Sequence, residues 1–298
     1  MKLSLFDLHC DTPYRIYRDK LSFENENLQV SAQRLFAFEE VRQVCAIWCD
    51  KALSDQEAYA SFWNVRRAFL EAIDQSHLPP RFSYCLAVED ARLLCGDIER
   101  LELLYGAGVR FLTLLWHGST LIGGACDTDD PLMPFGHQVV RRCFELGMTP
   151  DVSHASRRVI EEVAELAAIA GKPFVATHSN AYSVTPHRRN LTDWHFNLIK
   201  SSGGIVGISM APRHLSSSEH CGIADIIAHI EHFYSIGGED TLCLGCDFDG
   251  IEATPAGLEA IDRLPRLAAE MTRLGYSDDQ IDKLFYKNAK RYFDNYVK

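Results

Sequence analysis

Eight short apolar runs separated by longer amphipathic stretches leave this chain few folds to adopt. The runs cover residues 3–8, 43–48, 82–88, 110–115, 148–152, 173–177, 204–209 and 241–245. Most are continuous in hydrophobicity rather than alternating, the pattern of parallel strands covered on both faces. Helical spacing predicts helices over 55–75, 90–105, 135–146, 156–170, 193–201, 223–235, 255–274 and 278–296. Within the first of these, Ala58, Phe62, Val65, Phe69 and Ala72 recur at helical intervals. Ser277 and Gln280 form a capping-box signature for the last. Eight β/α units predict an α/β fold, a (β/α)8 barrel of the TIM type, spanning residues 1–298 as one domain with a C-terminal helix. The rival is a doubly wound open sheet. Its Gly-x-Gly-x-x-Gly turn after the first strand is replaced here by Cys10-Asp11-Thr12-Pro13.

Charge narrows the partners. The chain carries 41 acidic and 30 basic residues, a net charge of −11, which disfavours nucleic acid and anionic membranes. No apolar run approaches the roughly 20 residues of a membrane span. No signal-peptide pattern precedes residue 9, so the expected location is cytoplasmic. The ten cysteines then read as reduced thiols. Cys243-x-x-Cys246 lies within a strand-like run and lacks a second pair, so it reads as core rather than a metal or redox motif.

In such a barrel, chemistry is built at the C-terminal ends of the strands. The first run ends in His9-Cys10-Asp11, where residues i and i+2 of a strand share a side. The third ends at Glu89, the fifth at Asp151-Val152-Ser153-His154, the sixth at His178, and the eighth at Asp247-Phe248-Asp249-Gly250. Imidazoles and carboxylates thus gather at one rim from five strands, which predicts a barrel of the metal-dependent hydrolase type. This mixture suits zinc, manganese or iron better than calcium or magnesium. Glu89 has the two oxygens needed to bridge a pair of ions, and such a pair lowers the pKa of a bridging water. No Gly-x-Ser-x-Gly nucleophile motif is present. His77, His220, His229 and His232 fall in loops or on helix surfaces and read as solvated or capping, and His137 as structural.

The motifs also resemble a family. Phe6-Asp7-Leu8-His9-Cys10-Asp11-Thr12-Pro13, the stretch 103–114, Asp151-Val152-Ser153-His154, His178-Ser179-Asn180 with Arg188-Arg189-Asn190, and Asp247-Phe248-Asp249-Gly250 are similar, in order, to those of the renal, or membrane, dipeptidases. These are zinc-dependent barrel hydrolases of dipeptides. The resemblance implies two zinc ions per chain, one on His9 and Asp11, the other on His154 and His178, with Glu89 shared. It implies that Arg189 holds the dipeptide's C-terminal carboxylate, with Asn190 beside it as a substrate contact. It implies that Asp247 carries a proton from a metal-bridging water to the leaving amine. A dipeptide is then the partner, and a homodimer is an assembly the family often forms. Two departures stand out. Asp90-Ala91 replaces the family's Gly-Gly after the bridging Glu. Trp116 occupies the place of a substrate-contacting His, with His117 one residue later. Adjacent strand residues face opposite ways, so Trp116 and His117 are alternatives for that place.

The residues leave two other readings open. One is a barrel metallohydrolase acting on a non-peptide amide or ester, although such enzymes usually open with His-x-His. The other is a non-catalytic barrel that binds a metal or ligand.

Overall fold

A computed structural model of the chain, described for residues 2–218 and 220–297, has an all-parallel sheet at its centre. Its seven strands are β1 (Ser4–Cys10), β2 (Glu40–Trp48), β3 (Phe82–Glu89), β4 (Val109–Thr113), β5 (Thr149–Asp151), β6 (Val206–Ile208) and β7 (Leu242–Leu244). They run in the order β5-β4-β3-β2-β1-β7-β6. The gap between β5 and β6 is spanned by the predicted sixth strand, which forms single parallel bridges, Asp151 with Val175 and Ala176 with Val206. Val152 N donates to Val175 O (2.8 Å) and Gly207 N to Ala176 O (2.9 Å), so the ring of eight staves closes. Residues 173–177 form no longer ladder for two physical reasons. Pro173 supplies no donor. The Thr177 carbonyl also presses on the next two staves, where a Cβ at Gly207 or Gly245 would lie 1.9 or 1.7 Å from it.

Two apolar layers follow from the strand period of two. Phe6, Leu8, Val44, Ala46, Ala87, Phe111, Val175 and Cys243 pack together inside the barrel, closed below by Ala289 and Tyr292 of the C-terminal helix. Leu5, Val41, Cys45, Val88 and Leu112 join the helices in the outer layer. The helix Asp55–Asp74 buries Ala58, Phe62, Val65, Phe69 and Ala72, the predicted stripe. Ser277 and Gln280 make the predicted reciprocal cap. Several predicted helices are interrupted. Residues 90–105 split into a 3-10 turn (Ala91–Leu94) and a helix (Glu99–Gly106), and the last helix contains a π turn (Lys283–Lys287). A helix not anticipated, Thr12–Asp19, starts directly after Asp11 with Pro13 in its first turn. Proline is favoured there because its missing donor has no intrahelical partner to lose.

Candidate active site

Strand β1 delivers His9 by a local irregularity. Its pairing with β2 slips by one residue between Asp7↔Gln43 and Cys10↔Cys45. Such a bulge re-aims side chains. Leu8 keeps its place in the inner layer, while Cys10 turns to the outer layer, where its Sγ lies 3.9 Å from that of Cys45. His9 stays inside, with Nε2 at 3.5 Å from Asp11 Oδ2, 3.8 Å from Glu89 Oε2 and 3.9 Å from Asp247 Oδ1. The other Glu89 oxygen, Oε1, lies 3.1 Å from His154 Nε2 and 3.3 Å from His178 Nε2. These two nitrogens are 3.0 Å apart. Thus His9, Asp11, Glu89, His154, His178 and Asp247 converge on one point at the C-terminal rim of the barrel.

The backbone is strained where it presents these groups. His154, Asp247 and Asp249 have φ of 68°, 64° and 66°, and Asp90, next to Glu89, has 81°. Positive φ in residues other than glycine is tolerated where the surroundings over-determine it, and it clusters at functional sites. Asp90 stands where the family usually has Gly. Its carboxylate accepts from Arg92 N and pairs with the Arg92 guanidinium at 3.2 Å, which offsets the strain. Asp249 accepts from Thr12 Oγ1 (2.6 Å), Gln29 N (2.8 Å) and Val30 N (3.2 Å), tying the segment after β1 to the end of the eighth stave.

Electrostatics marks the cluster as a cation site. Burial and the neighbouring Asp11 push the Glu89 carboxyl well above its usual range, and burial lifts Asp247 to about 7. Burial opposes protonation of His9, but Glu89, Asp11 and Asp247 outweigh it and raise it to about 10. Burial holds His154 and His178 well below the usual value, as neutral imidazoles with a lone pair to share. His9 Nε2 and Asp11 Oδ1 are buried with no hydrogen-bond partner. Buried polar atoms left unpaired beside crowded carboxylates fit metal ligands. Ligand atoms of His9, Glu89 and His178, and of His9, Asp11 and Asp247, lie within 4.8 Å of one another.

The remaining predicted residues separate. Trp116 lines the cavity over the cluster and stacks edge-on against Trp48 at 5.1 Å. His117 turns away, with its side chain 63% exposed and Nδ1 3.0 Å from Asp127. Arg189 is buried behind the ligands, donating to Ser179 Oγ (2.9 Å) and to the His178 carbonyl (2.8 Å), with Nε unpaired. Asn190 donates to the carbonyls of Thr185 (2.9 Å) and His214 (2.7 Å), bracing that loop. Tyr14, Arg18, Trp48, Arg213 and His214 also line the cavity, of about 530 Å³, and went unnoticed in the sequence. Trp48 ends β2, so the strand-end rule applied to every stave finds it. His214 sits in a short helical turn (Pro212–Leu215) after β6 that reads as a polar loop. Burial and then Arg189 push it down to about 3.

A family model described as "Membrane dipeptidase (Peptidase family M19)" matches residues 68–296. The chain belongs to this family. It is thereby an enzyme of the metallo-dipeptidase class. Over 220 residues it is 34% identical to the Klebsiella pneumoniae "Uncharacterized protein in pqqA 5'region", covering 70% of this chain and 80% of that protein. Over 211 residues it is 30% identical to "Dipeptidase tcpJ" of Claviceps purpurea, covering 69% of this chain and 49% of that protein, so the match spans about half of the latter. The crystal structure of a metallo peptidase from Rhodobacter sphaeroides, liganded with a phosphinate mimic of the dipeptide L-Ala-D-Ala, superposes with a TM-score of 0.89. The two are 25% identical, over 99% of this chain and 100% of that one. Although the family is named for membranes, no helix among the described residues is long and apolar enough to cross one.

Proposed function

We propose that the chain is a binuclear zinc dipeptidase that hydrolyses dipeptides with a free C-terminal carboxylate. The observation that carries this reading is the division of Glu89, with Oε2 directed to His9 and Oε1 to His154 and His178. A carboxylate placed between two sets of imidazoles is the arrangement that lets one residue serve two ions. His9 and Asp11 would hold one zinc, His154 and His178 the other, and Glu89 both. Zinc bound there would supply Lewis-acid chemistry, lowering the pKa of a water and polarising the scissile carbonyl. Asp247, on the cavity wall, would accept a proton from the attacking water and pass it to the leaving amine. Arg189 spends two of its five N–H groups on Ser179 and the His178 carbonyl, and the unpaired Nε–H is among those left for the substrate carboxylate, a contact that charge assistance makes strong. Trp116 and Trp48 form an aromatic wall beside the ligands. The ten cysteines, all unpaired, suit a reducing compartment such as the cytoplasm.

The test is a panel of L,L- and L,D-dipeptides and their C-terminal amides, assayed before and after chelation, alongside metal analysis. Free dipeptides should turn over, chelated protein should lose activity and recover it with zinc, and the amides should be poor substrates. Inertness toward every dipeptide despite two bound zinc ions would reject the substrate class. Protein that purifies gently without metal would reject the metal centre.

Gly250 gives a more local check. A Cβ there would lie 2.0 Å from Asp11 Oδ2 and 2.9 Å from Asp247 Oδ1. Gly250→Ala must therefore displace the Asp11 carboxylate. The expected result is a zinc affinity about 10- to 100-fold weaker at one of the two sites, the scale of a disturbed ligand. Thermal unfolding of the metal-free variant should change little, because the atom displaced is the end of a side chain. Unchanged zinc binding would show that Asp11 is not a ligand.

A further inference from the structure

Below the ligands, Asp151 is fully buried and surrounded by donors. Its Oδ1 accepts from Ser153 N and Thr177 N, both at 2.9 Å. Its Oδ2 accepts from Thr113 Oγ1 and Thr177 Oγ1, both at 2.6 Å. Four donors and no acceptor is the pattern a carboxylate requires. A hydroxyl has one hydrogen, and that of Thr177 is committed to Asp151 by the short contact; the competing Ser153 Oγ and His9 Nδ1 lie farther off, at 3.4 and 3.5 Å. Toward His178 Nδ1, at 2.9 Å, Thr177 Oγ1 is therefore the acceptor. His178 must carry its proton on Nδ1, which leaves the Nε2 lone pair facing Glu89 and His154.

We propose that Asp151 is a positioning residue that sets the tautomer of His178 through the Thr177 hydroxyl and so prepares Nε2 to bind metal. The inference rests on His178 being a metal ligand. Partners behind a ligating histidine fix its ring and tautomer and are worth about 10- to 100-fold in metal affinity. Asp151→Asn separates this role from packing. The Asn carbonyl can keep the two backbone amides, but its NH2 then donates to Thr177 Oγ1. The Thr177 proton turns to His178 Nδ1, and the His178 proton moves to Nε2, on the metal side.

Metal-stripped protein with 15N-labelled histidine, titrated with zinc alone, tests this. In wild type, His178 should be the Nδ1–H tautomer, and in Asp151→Asn the Nε2–H tautomer. Zinc affinity at one of the two sites should fall about 10- to 100-fold in Asp151→Asn and in Thr177→Val. Thr177→Ser, which keeps the hydroxyl, should restore it. Thr113→Val removes the other hydroxyl from Asp151 without touching His178 and should leave zinc affinity unchanged. Wild-type zinc affinity in both Asp151→Asn and Thr177→Val would overturn the proposal, as would equal damage from Thr113→Val. If Asp151→Asn does not fold, the Thr177 pair decides alone. If wild type takes up no zinc, the metal reading fails. The tautomer in the metal-free protein then still decides whether Asp151 sets it.

Discussion

Glu89→Gln is expected to reduce dipeptide hydrolysis about 1000-fold or more and to lower bound zinc from two ions to one. The side chain keeps its size, but Gln has a single oxygen. It can face either His9 or the pair His154 and His178, whereas Glu89 faces both. The stabilisation that a second cation gives a developing oxyanion is several kcal/mol. Each 1.4 kcal/mol is a factor of ten, so losing about 4 kcal/mol gives the stated rate loss. Stability should move the other way. Asp11, Glu89 and Asp247 are three carboxylates crowded around His9, and Glu89 also faces His154 and His178. Without metal, burial and the neighbouring Asp11 disfavour the charge on Glu89, a penalty that neutral Gln does not carry, so the metal-free Gln variant should unfold at a higher temperature than metal-free wild type. Adding zinc should stabilise wild type more than the variant, because ligands that bind the native state raise its stability by mass action. Metal content by atomic absorption and paired melting curves with and without zinc measure both signs. A Gln variant that keeps two zinc ions and full activity would remove Glu89 from the bridge.

The barrel was legible because its staves are continuous apolar runs and its helices carry caps and stripes, both local signals. Where the structure departs, most of the causes are non-local. The sixth stave is reduced to bridges by Pro173 and by the approach of the Thr177 carbonyl to Gly207 and Gly245 on the next two staves. His9, Glu89, His154, His178 and Asp247 could be found because they end strands. The bulge that turns His9 inward could not, since strict alternation from Leu8 would send it outward. Adjacency offered Trp116 and His117 as alternatives, and the turn after β4 puts Trp116 on the cavity and His117 against Asp127. Asp151 and Thr177 were visible as strand-end residues. Their relation to each other spans 26 positions and exists only after β5 and the sixth stave are neighbours. Asn190 is similar. Its amide holds carbonyls of its own loop and of His214, 24 residues away, a use that no short motif reveals.

Asp247→Asn is expected to lower kcat by about 100- to 10,000-fold, the range of a lost proton-transfer group, while both zinc ions remain. The substitution is unusually clean at this position. Asp247 has φ of 64°, and Asn accepts the left-handed region as readily as Asp. Its backbone N–H donates to the His9 carbonyl at 3.0 Å, a contact the variant keeps. KM should therefore change little and the melting temperature should hold. What Asn lacks is an oxygen able to accept a proton and release it. Dipeptide analogues that differ in their leaving amine tell which half of the transfer depends on Asp247. A strongly basic aliphatic amine needs protonation to depart, whereas a weakly basic aromatic amine needs it less. If Asp247 delivers the proton to the amine, the variant should lose much less rate on the aromatic analogue. An equal loss on both would confine Asp247 to taking the proton from water. Full activity on both, with two zinc ions present, would exclude it from proton transfer and leave it as a wall of the cavity.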